Sequence, residues 1–572
     1  MHKTNWWMYH GDAAHTGLVK GSRINTRNAA SLKLVHDIEV AGPVLSVPAL
    51  VDGFVYVGLA NSHGAAGANG GEFLKIDVST GLTAARFKWD IDPAEGDTHG
   101  FMGMGCTPAV VTNPDDNKVY VYFSAFDGKL YCLAAEDLSL VWVTDLRHAD
   151  PAHNQPVSNL GPGGPPAAGW SSPVIATGIP NALGIPSNYV FVGMGEGENP
   201  DLFGFVFCLD MSTGNVVWIH CTCQFQENIP NAPNVLPPAV VKGKLSPPFT
   251  IGPNNPAIRG CSVWASIAYD DLLDRLYCAT GNPVPDSTLP SKGFSNGILA
   301  LDAASGEFRG FFQAPPESSY RDTDVDVDFG GSPVLFTVNG RRVVAAGCKN
   351  GGFFVLDAAT LKLLHWRQLL PYYNDGRRIP SVDPHVGPND PRLDPFVPNR
   401  MSEGEDQENY SGTYSTPAIH HDLGRIFIGI GGNNYHTVQA GIDYATTPFL
   451  RAMDWQTLAD AWEMDDGEPR LYVHAQPPMY RTPGESGLSS PAVVNDVVFC
   501  STSKIAVYAF DAWSGEKLWE DQLGEQTGGM NGGYGYCLGP AVAGDYVVAG
   551  ALVFGKRGGV LRIYSLPKED VQ

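Results

Sequence analysis

The chain repeats itself, and the repeat decides what it can fold into. One unit reads apolar-x-Asp, a tight Ser/Thr-Gly turn, then an aromatic about eight residues on. It stands as LKIDVSTG at 74–81, CLDMSTGNVVW at 208–218, LALDAASG at 299–306 and VLDAATLKLLHW at 355–366. It returns as AMDWQTLADAW at 452–462 and AFDAWSGEKLW at 509–519, with a degenerate copy at 132–142 that has Ala134 in the Asp place. Each copy predicts a strand, a tight turn and a strand, with the Trp packing between neighbouring units.

A second unit precedes the first. It is a small residue, one more residue and Pro-Ala/Val, then two alternating apolar runs around a turn. The copies are SVPALVDGFVYVG (46–58), CTPAVV (106–111), SSPVIA (171–176), GSPVLF (331–336), STPAIH (415–420), SSPAVV (489–494) and LGPAVAGDYVVAG (538–550). WASIAYDDLLDRLYCATG (264–281) is the same unit without its proline, which makes eight. Each copy predicts a sheet of about four antiparallel strands, which alone buries only part of its apolar surface.

Eight such sheets set radially make an all-β, eight-bladed β-propeller, one domain over residues 1–572. The ends agree with closure. The last copy finishes on VLRIYSL (560–566) with no following Trp strand, and ASLKLVHDI (30–38) supplies one, with His36 in the Trp place. The N- and C-terminal strands then share one blade, and no sheet edge is left open at the seam. Long Pro-, Asn- and Gly-rich stretches at 146–168, 224–259 and 367–408 read as loops between blades. Loops at one end of such a ring build the central site.

Charge and cysteines narrow the function. Lys plus Arg number 37 against 60 Asp plus Glu, a formal charge of −23, opposite in sign to a nucleic-acid binder. No apolar run reaches the ~20 residues that span a bilayer. The opening MHKTNWWMYH lacks the apolar core of a signal peptide. Ten cysteines in 572 residues are no disulfide scaffold, and no Cys-x-x-Cys-His occurs, so no c-type haem is attached to this chain. Gly293-Phe-Ser295-Asn-Gly297 has nucleophile-elbow spacing, but the strand-like ILALD follows it instead of a helix.

Four places carry chemistry. Trp264 offers a flat apolar face for a planar ligand, or packs between blades. Asn282, in Gly281-Asn282-Pro283, offers an amide oxygen to a hard cation, or simply shapes a turn. In Arg321-Asp-Thr-Asp-Val-Asp-Val-Asp328, the acids at 322, 324, 326 and 328 share one face if the segment is extended. An EF-hand does not fit there, since Val327 stands in the Gly place and Pro333 in the Glu place. Lys349-Asn350-Gly351 is either a cation placed over a site or a surface hairpin turn.

Trp264 followed 18 residues later by the Asn of Gly-Asn-Pro resembles the pyrroloquinoline-quinone (PQQ) dependent alcohol dehydrogenases, and the opening WMYHGDAAHTG (7–17) resembles that family's start. The resemblance covers the whole chain. It implies PQQ stacked on Trp264 and Asp328 as general base and metal ligand. It also implies Lys349 over the quinone oxygens, and Ca²⁺ held by Asn282, Asp328 and a Glu. Glu198 in VFVGMGEGENPDLFG is the favoured Glu, with Glu196 in reserve beside the cofactor. Ser171 and Ser172 stand where a cofactor carboxylate is held. Lanthanide-using members carry another Asp where this chain has Gly330, which points to calcium, with Asp326 as a compensating acid. One departure is plain: the family's adjacent cysteine pair is absent, and only Cys106 stands in GMGCTPAV.

The implied activity is oxidation of an alcohol to an aldehyde or ketone by hydride transfer to the quinone. Electrons then leave to a separate acceptor such as a cytochrome c. The implied setting is periplasmic or secreted; the residues themselves leave a cytosolic one open. Two other readings stay open: a quinone-free propeller that serves as a binding scaffold, and a lyase or hydrolase using the same central acids.

Overall fold

A computed structural model describes residues 5–63, 70–91, 103–146, 169–181, 183–195, 204–222, 259–284, 294–313, 328–349, 351–369, 372–374, 377–379, 413–430, 449–462, 489–502, 505–523, 535–536, 539–553 and 558–567. Eight sheets of three or more strands are arranged as an eight-bladed β-propeller, as the repeat predicts.

Blade 1 runs Ala49–Val51, Phe54–His63, Gly70–Asp77 and Thr83–Asp90. Blade 2 runs Ala109–Thr112, Val119–Ser124, Lys129–Ala134 and Leu140–Asp145. Blade 3 runs Val174–Pro180, Pro186–Met194, Phe205–Asp210 and Val216–Cys221. Blade 4 runs Ala268–Asp270, Arg275–Ala279, Gly297–Asp302 and Phe308–Gln313. Blade 5 runs Val334–Val338, Arg341–Gly347, Gly352–Asp357 and Leu363–Gln368. Blade 6 runs Ala418–His420, Arg425–Gly429 and Leu450–Asp454. Blade 7 runs Ala492–Val494, Val497–Ser501, Ala506–Asp511 and Lys517–Gln522. Blade 8 carries Pro540–Ala543, Tyr546–Val553 and Gly559–Ser565.

The N-terminal strand Lys33–Val40 completes blade 8, antiparallel to Gly559–Ser565, with Lys33 opposite Ser565 and Val40 opposite Gly559. His36 does take the Trp place: a Cβ on Gly81 of blade 1 would lie 2.6 Å from its imidazole. The same contact recurs round the ring. Gly306 (φ +71°) underlies Trp218, and Gly515 (φ +77°) underlies Trp462. Only glycine adopts that backbone freely and leaves room for the indole. Trp218 Nε1 donates to Ala303 O at 3.1 Å and Trp462 Nε1 to Ala512 O at 3.3 Å, so each Trp is bonded to the next blade.

Two features of the ring exceed the sequence reading. The first is a chain of hydroxyls. In five blades the residue ahead of the inner strand donates its N–H to the matching hydroxyl of the next blade. Thr107 N–H reaches Ser172 Oγ, Ser172 reaches Ser266, Ser266 reaches Ser332, Ser332 reaches Thr416, and Thr416 reaches Ser490, at 2.9–3.1 Å. Each link contributes about 1 kcal/mol. Val47 and Gly539 hold the matching places in blades 1 and 8, and neither has a hydroxyl.

The second is an N-terminal plug. Residues 6–17 run across the inner strands of six blades. Trp6, Trp7, Ala13, Ala14, Thr16 and Gly17 accept at their carbonyls from Leu50, Val110, Tyr269, Leu335, Ile419 and Val493. His15 Nδ1 lies 2.9 Å from Pro333 O, and His10 Nε2 lies 2.8 Å from Pro491 O. Both imidazoles are buried.

Two predicted loops hold short ladders. Tyr372–Asn374 pairs with Arg377–Ile379 inside the 367–408 stretch, and Arg259–Gly260 pairs with Pro283–Val284. A hairpin closes locally wherever a turn brings two short runs together. Gly297–Asp302 is a strand, so Ser295 opens no helix. No helix among the described residues is long and apolar enough to cross a membrane.

Candidate active site

The candidate site lies just ahead of the N-terminal ends of the inner strands. The backbone just ahead of the inner strands of blades 4, 5 and 6 builds it. Cys261 N–H donates to Asn282 O and Gly281 N–H to Ser262 O, each at 2.8 Å, which ties the Trp264 segment to Gly-Asn-Pro. In blade 5 the matching bond runs from Lys349 N–H to Asp328 O at 2.8 Å.

Four of the expected residues come together. Asp328 and Asn282 are fully buried. The Asn282 backbone N–H donates to Asp328 Oδ1. Lys349 Nζ donates to Asp328 Oδ2 at 3.2 Å, and both side chains are buried. In this low-dielectric setting the Coulomb attraction within the pair is stronger than at a surface, and it offsets the cost of desolvating both charges. The Lys349 ammonium also sits 5.4 Å from the centroid of the half-buried Trp264 ring.

Two residues belong here that the sequence reading passed over. Ser262 occupies in blade 4 the repeat position that Asp328 holds in blade 5. Tyr414 occupies in blade 6 the position that Trp264 holds in blade 4. Counting back from the hydroxyl-bearing residue of each repeat finds both. Tyr414 stands 6.4 Å from Trp264, ring to ring, and 5.4 Å from Lys349 Nζ.

Of the remaining expected residues, Ser171, Ser172 and Cys106 make contacts within and between blades 2 and 3. Ser171 Oγ accepts from Gly193 N–H at 3.1 Å, and Ser172 Oγ belongs to the hydroxyl chain. Both therefore serve blade packing, whatever else they touch. Cys106 donates its S–H to Ser124 O within its own blade at 3.2 Å, and burial pushes its thiol up to about 12. Glu196, Glu198, Asp322, Asp324 and Asp326 lie outside the described residues. The chain leaves for 196–203 and returns beside the site. A Cβ on Gly195 would be 2.7 Å from Ser262 Cβ, and one on Gly204 would be 2.0 Å from Cys261 O.

The chemistry of this pocket suits a polar, planar guest with a cation. Ser262 Oγ and Trp264 Nε1 are buried with no hydrogen-bond partner among the described residues. An orphaned buried donor costs about 1–3 kcal/mol, so a site lined this way favours a ligand that satisfies it. Both groups face bare Gly281. A Cβ there would stand 2.7 Å from Ser262 Oγ, 3.2 Å from Asp328 Oδ1 and 3.4 Å from Trp264 Nε1. A hydroxyl, a carboxylate oxygen and an indole N–H thus adjoin one cradle, with the Lys349 ammonium on the same carboxylate, which fits PQQ and a hard cation.

Known proteins share this architecture. A family model described as glucose/ethanol/alcohol dehydrogenase, beta-propeller domain, matches residues 204–365. A second, described as outer membrane protein assembly factor BamB, matches 448–561. The dehydrogenase subunit of the alcohol dehydrogenase (quinone) of Acetobacter aceti is 26% identical over 378 residues, 64% of this chain and 45% of that protein. The quinohemoprotein alcohol dehydrogenase of Comamonas testosteroni is 24% identical over 574 residues, 90% of this chain and 68% of that protein. The chain thus spans less than half the length of the first relative. Among solved structures, a europium-containing methanol dehydrogenase superposes with TM-score 0.63 at 17% identity, covering 99% of this chain and 98% of that one. At that identity the likeness speaks for the fold alone. In sequence and in fold together, the chain matches the PQQ-dependent alcohol dehydrogenase family of eight-bladed β-propellers.

Proposed function

We propose that the chain, as one propeller domain over 1–572, is a PQQ- and calcium-dependent dehydrogenase that oxidises an alcohol to an aldehyde or ketone. The observation that carries this is the buried Asp328, bonded by Asn282 N–H and Lys349 Nζ beside the unpartnered Ser262 and Trp264 groups. When bound, PQQ supplies a two-electron acceptor, and calcium supplies Lewis acidity beside it.

The chain's own residues do the rest. Trp264 provides the face on which the planar cofactor rests. Asn282, Asp328 and Glu198, with Glu196 as the alternative, hold the cation; the 196–203 segment leaves and rejoins the chain beside Ser262 and Cys261. Asp328 takes the proton from the substrate hydroxyl as the C–H bond breaks. Lys349 presents its ammonium to the negative charge that develops on the acceptor side. Ser171, Ser172 and Cys106, on neighbouring blades, are the other groups that would border the cofactor.

A separate carrier, a cytochrome c in this reading, removes the electrons, and the −23 charge of the chain attracts a basic one. In this reading the protein works in the periplasm or outside the cell. A quinone-free propeller is the second reading, favoured by the single Cys106 whose thiol is committed to Ser124. Adding Ca²⁺ and PQQ to purified protein separates the two. A shifted quinone absorbance and alcohol-dependent dye reduction are the expected result; no quinone uptake overturns it.

A further inference from the structure

Three repeat-equivalent positions meet in the site: Trp264 in blade 4, Gly330 in blade 5 and Tyr414 in blade 6. A Cβ on Gly330 would lie 3.1 Å from Tyr414 Cδ1 and 3.3 Å from Trp264 Cη2. The bare glycine is thus the gap across which the two rings face one another, 6.4 Å apart and tilted by 47°. The Lys349 ammonium lies 5.4 Å from each ring centroid and 3.2 Å from Asp328 Oδ2. A cation between two aromatic faces is attracted by both quadrupoles, and more strongly where water is excluded. Lysine has four rotatable bonds, so contacts along its side chain as well as the Asp328 salt bridge set where its ammonium rests.

We infer that Tyr414 is a positioning residue: with Trp264 it forms a two-ring cradle that holds the Lys349 ammonium on Asp328. Its value to catalysis rests on the dehydrogenase reading above; the cradle itself does not. Because the attraction comes from the ring face, phenylalanine replaces tyrosine here and an aliphatic residue does not.

The test uses the whole cofactor-free chain, at one pH. Acetylation of Lys349 by acetic anhydride is followed by peptide mass spectrometry, with exposed Lys33 as internal reference. In Tyr414→Leu the Lys349 rate relative to Lys33 rises about five- to thirtyfold, the range for a desolvated cation–ring contact. In Tyr414→Phe it stays within about twofold of wild type. An unchanged rate in Tyr414→Leu, or an equal rise in Tyr414→Phe, overturns the cradle. Should Tyr414→Leu not fold, Gly330→Ala carries the same test, since its methyl displaces the Tyr414 ring. A smaller rise of the same sign is then expected, and none overturns it. Failure of quinone uptake removes the dehydrogenase reading and leaves this result standing. With PQQ bound, Tyr414→Leu lowers kcat and leaves the alcohol KM within about twofold, and Tyr414→Phe restores kcat.

Discussion

The plug makes the ring sensitive to acid through His15. Burial, followed by the charge of His10, lowers the His15 pKa from 6.5 to about 3. The unfolded chain therefore binds the proton more readily than the native one between those values. The stability His15 contributes is complete above about pH 6.5 and is lost as pH falls towards 3. At pH 5 an unfolded imidazole is mostly protonated and the native one is not. The linkage integral then gives a loss of about 2 kcal/mol between pH 7 and pH 5 from this residue alone. His15→Asn keeps an N–H donor for Pro333 O and removes the titration. Denaturant midpoints of wild type and variant are compared at pH 7 and pH 5. The gap between the two proteins should change by about 2 kcal/mol in favour of the variant at pH 5. Parallel loss of stability in both proteins would refute the argument, whatever the variant costs at pH 7.

Further expectations follow from the same geometry. Asp328→Asn should lower alcohol-dependent dye reduction roughly 10²–10⁴-fold, the range for loss of a general base, with the fold intact by circular dichroism. Gly281→Ala places a methyl 2.7 Å from Ser262 Oγ; PQQ affinity by absorbance titration should fall about tenfold or more, while the melting temperature holds within a few degrees. Gly306→Ala forces a side chain into φ +71° and to 2.6 Å from the Trp218 indole. The backbone alone costs about 1–2 kcal/mol, which a thermal melt reads as a lower midpoint. The exposed Arg23–Asp545 ion pair, at 2.7 Å, should be worth no more than about 1 kcal/mol, so Arg23→Ala should barely move that midpoint.

Much of the architecture was legible before any coordinate, because the signals are local and periodic. Variants of the Asp-x-Ser/Thr-Gly turn with a following aromatic mark most blades, since the glycine and the indole that rests on it belong to successive copies of one pattern. The closing strand was legible for the same reason: 560–566 lacks a partner that 30–38 supplies, down to His36 over Gly81. Trp264, Asn282, Asp328 and Lys349 stood out from their motifs as candidates, and the fold brings the four together.

The plug, the hydroxyl chain and the pairing of Tyr414 with Trp264 were not readable. The plug is held chiefly by backbone N–H groups donating to backbone carbonyls, which any sequence supplies, so only the path of the chain reveals it. The hydroxyls of Ser172, Ser266, Ser332, Thr416 and Ser490 look like turn residues until the ring brings each beside the next blade's N–H. Tyr414 is 150 residues from Trp264 and 65 from Lys349, and no local spacing connects them. Repetition along the chain wrote the blades; closing the circle decided which side chains share its axis, because contact across a ring depends on radius and blade order rather than on distance along the sequence.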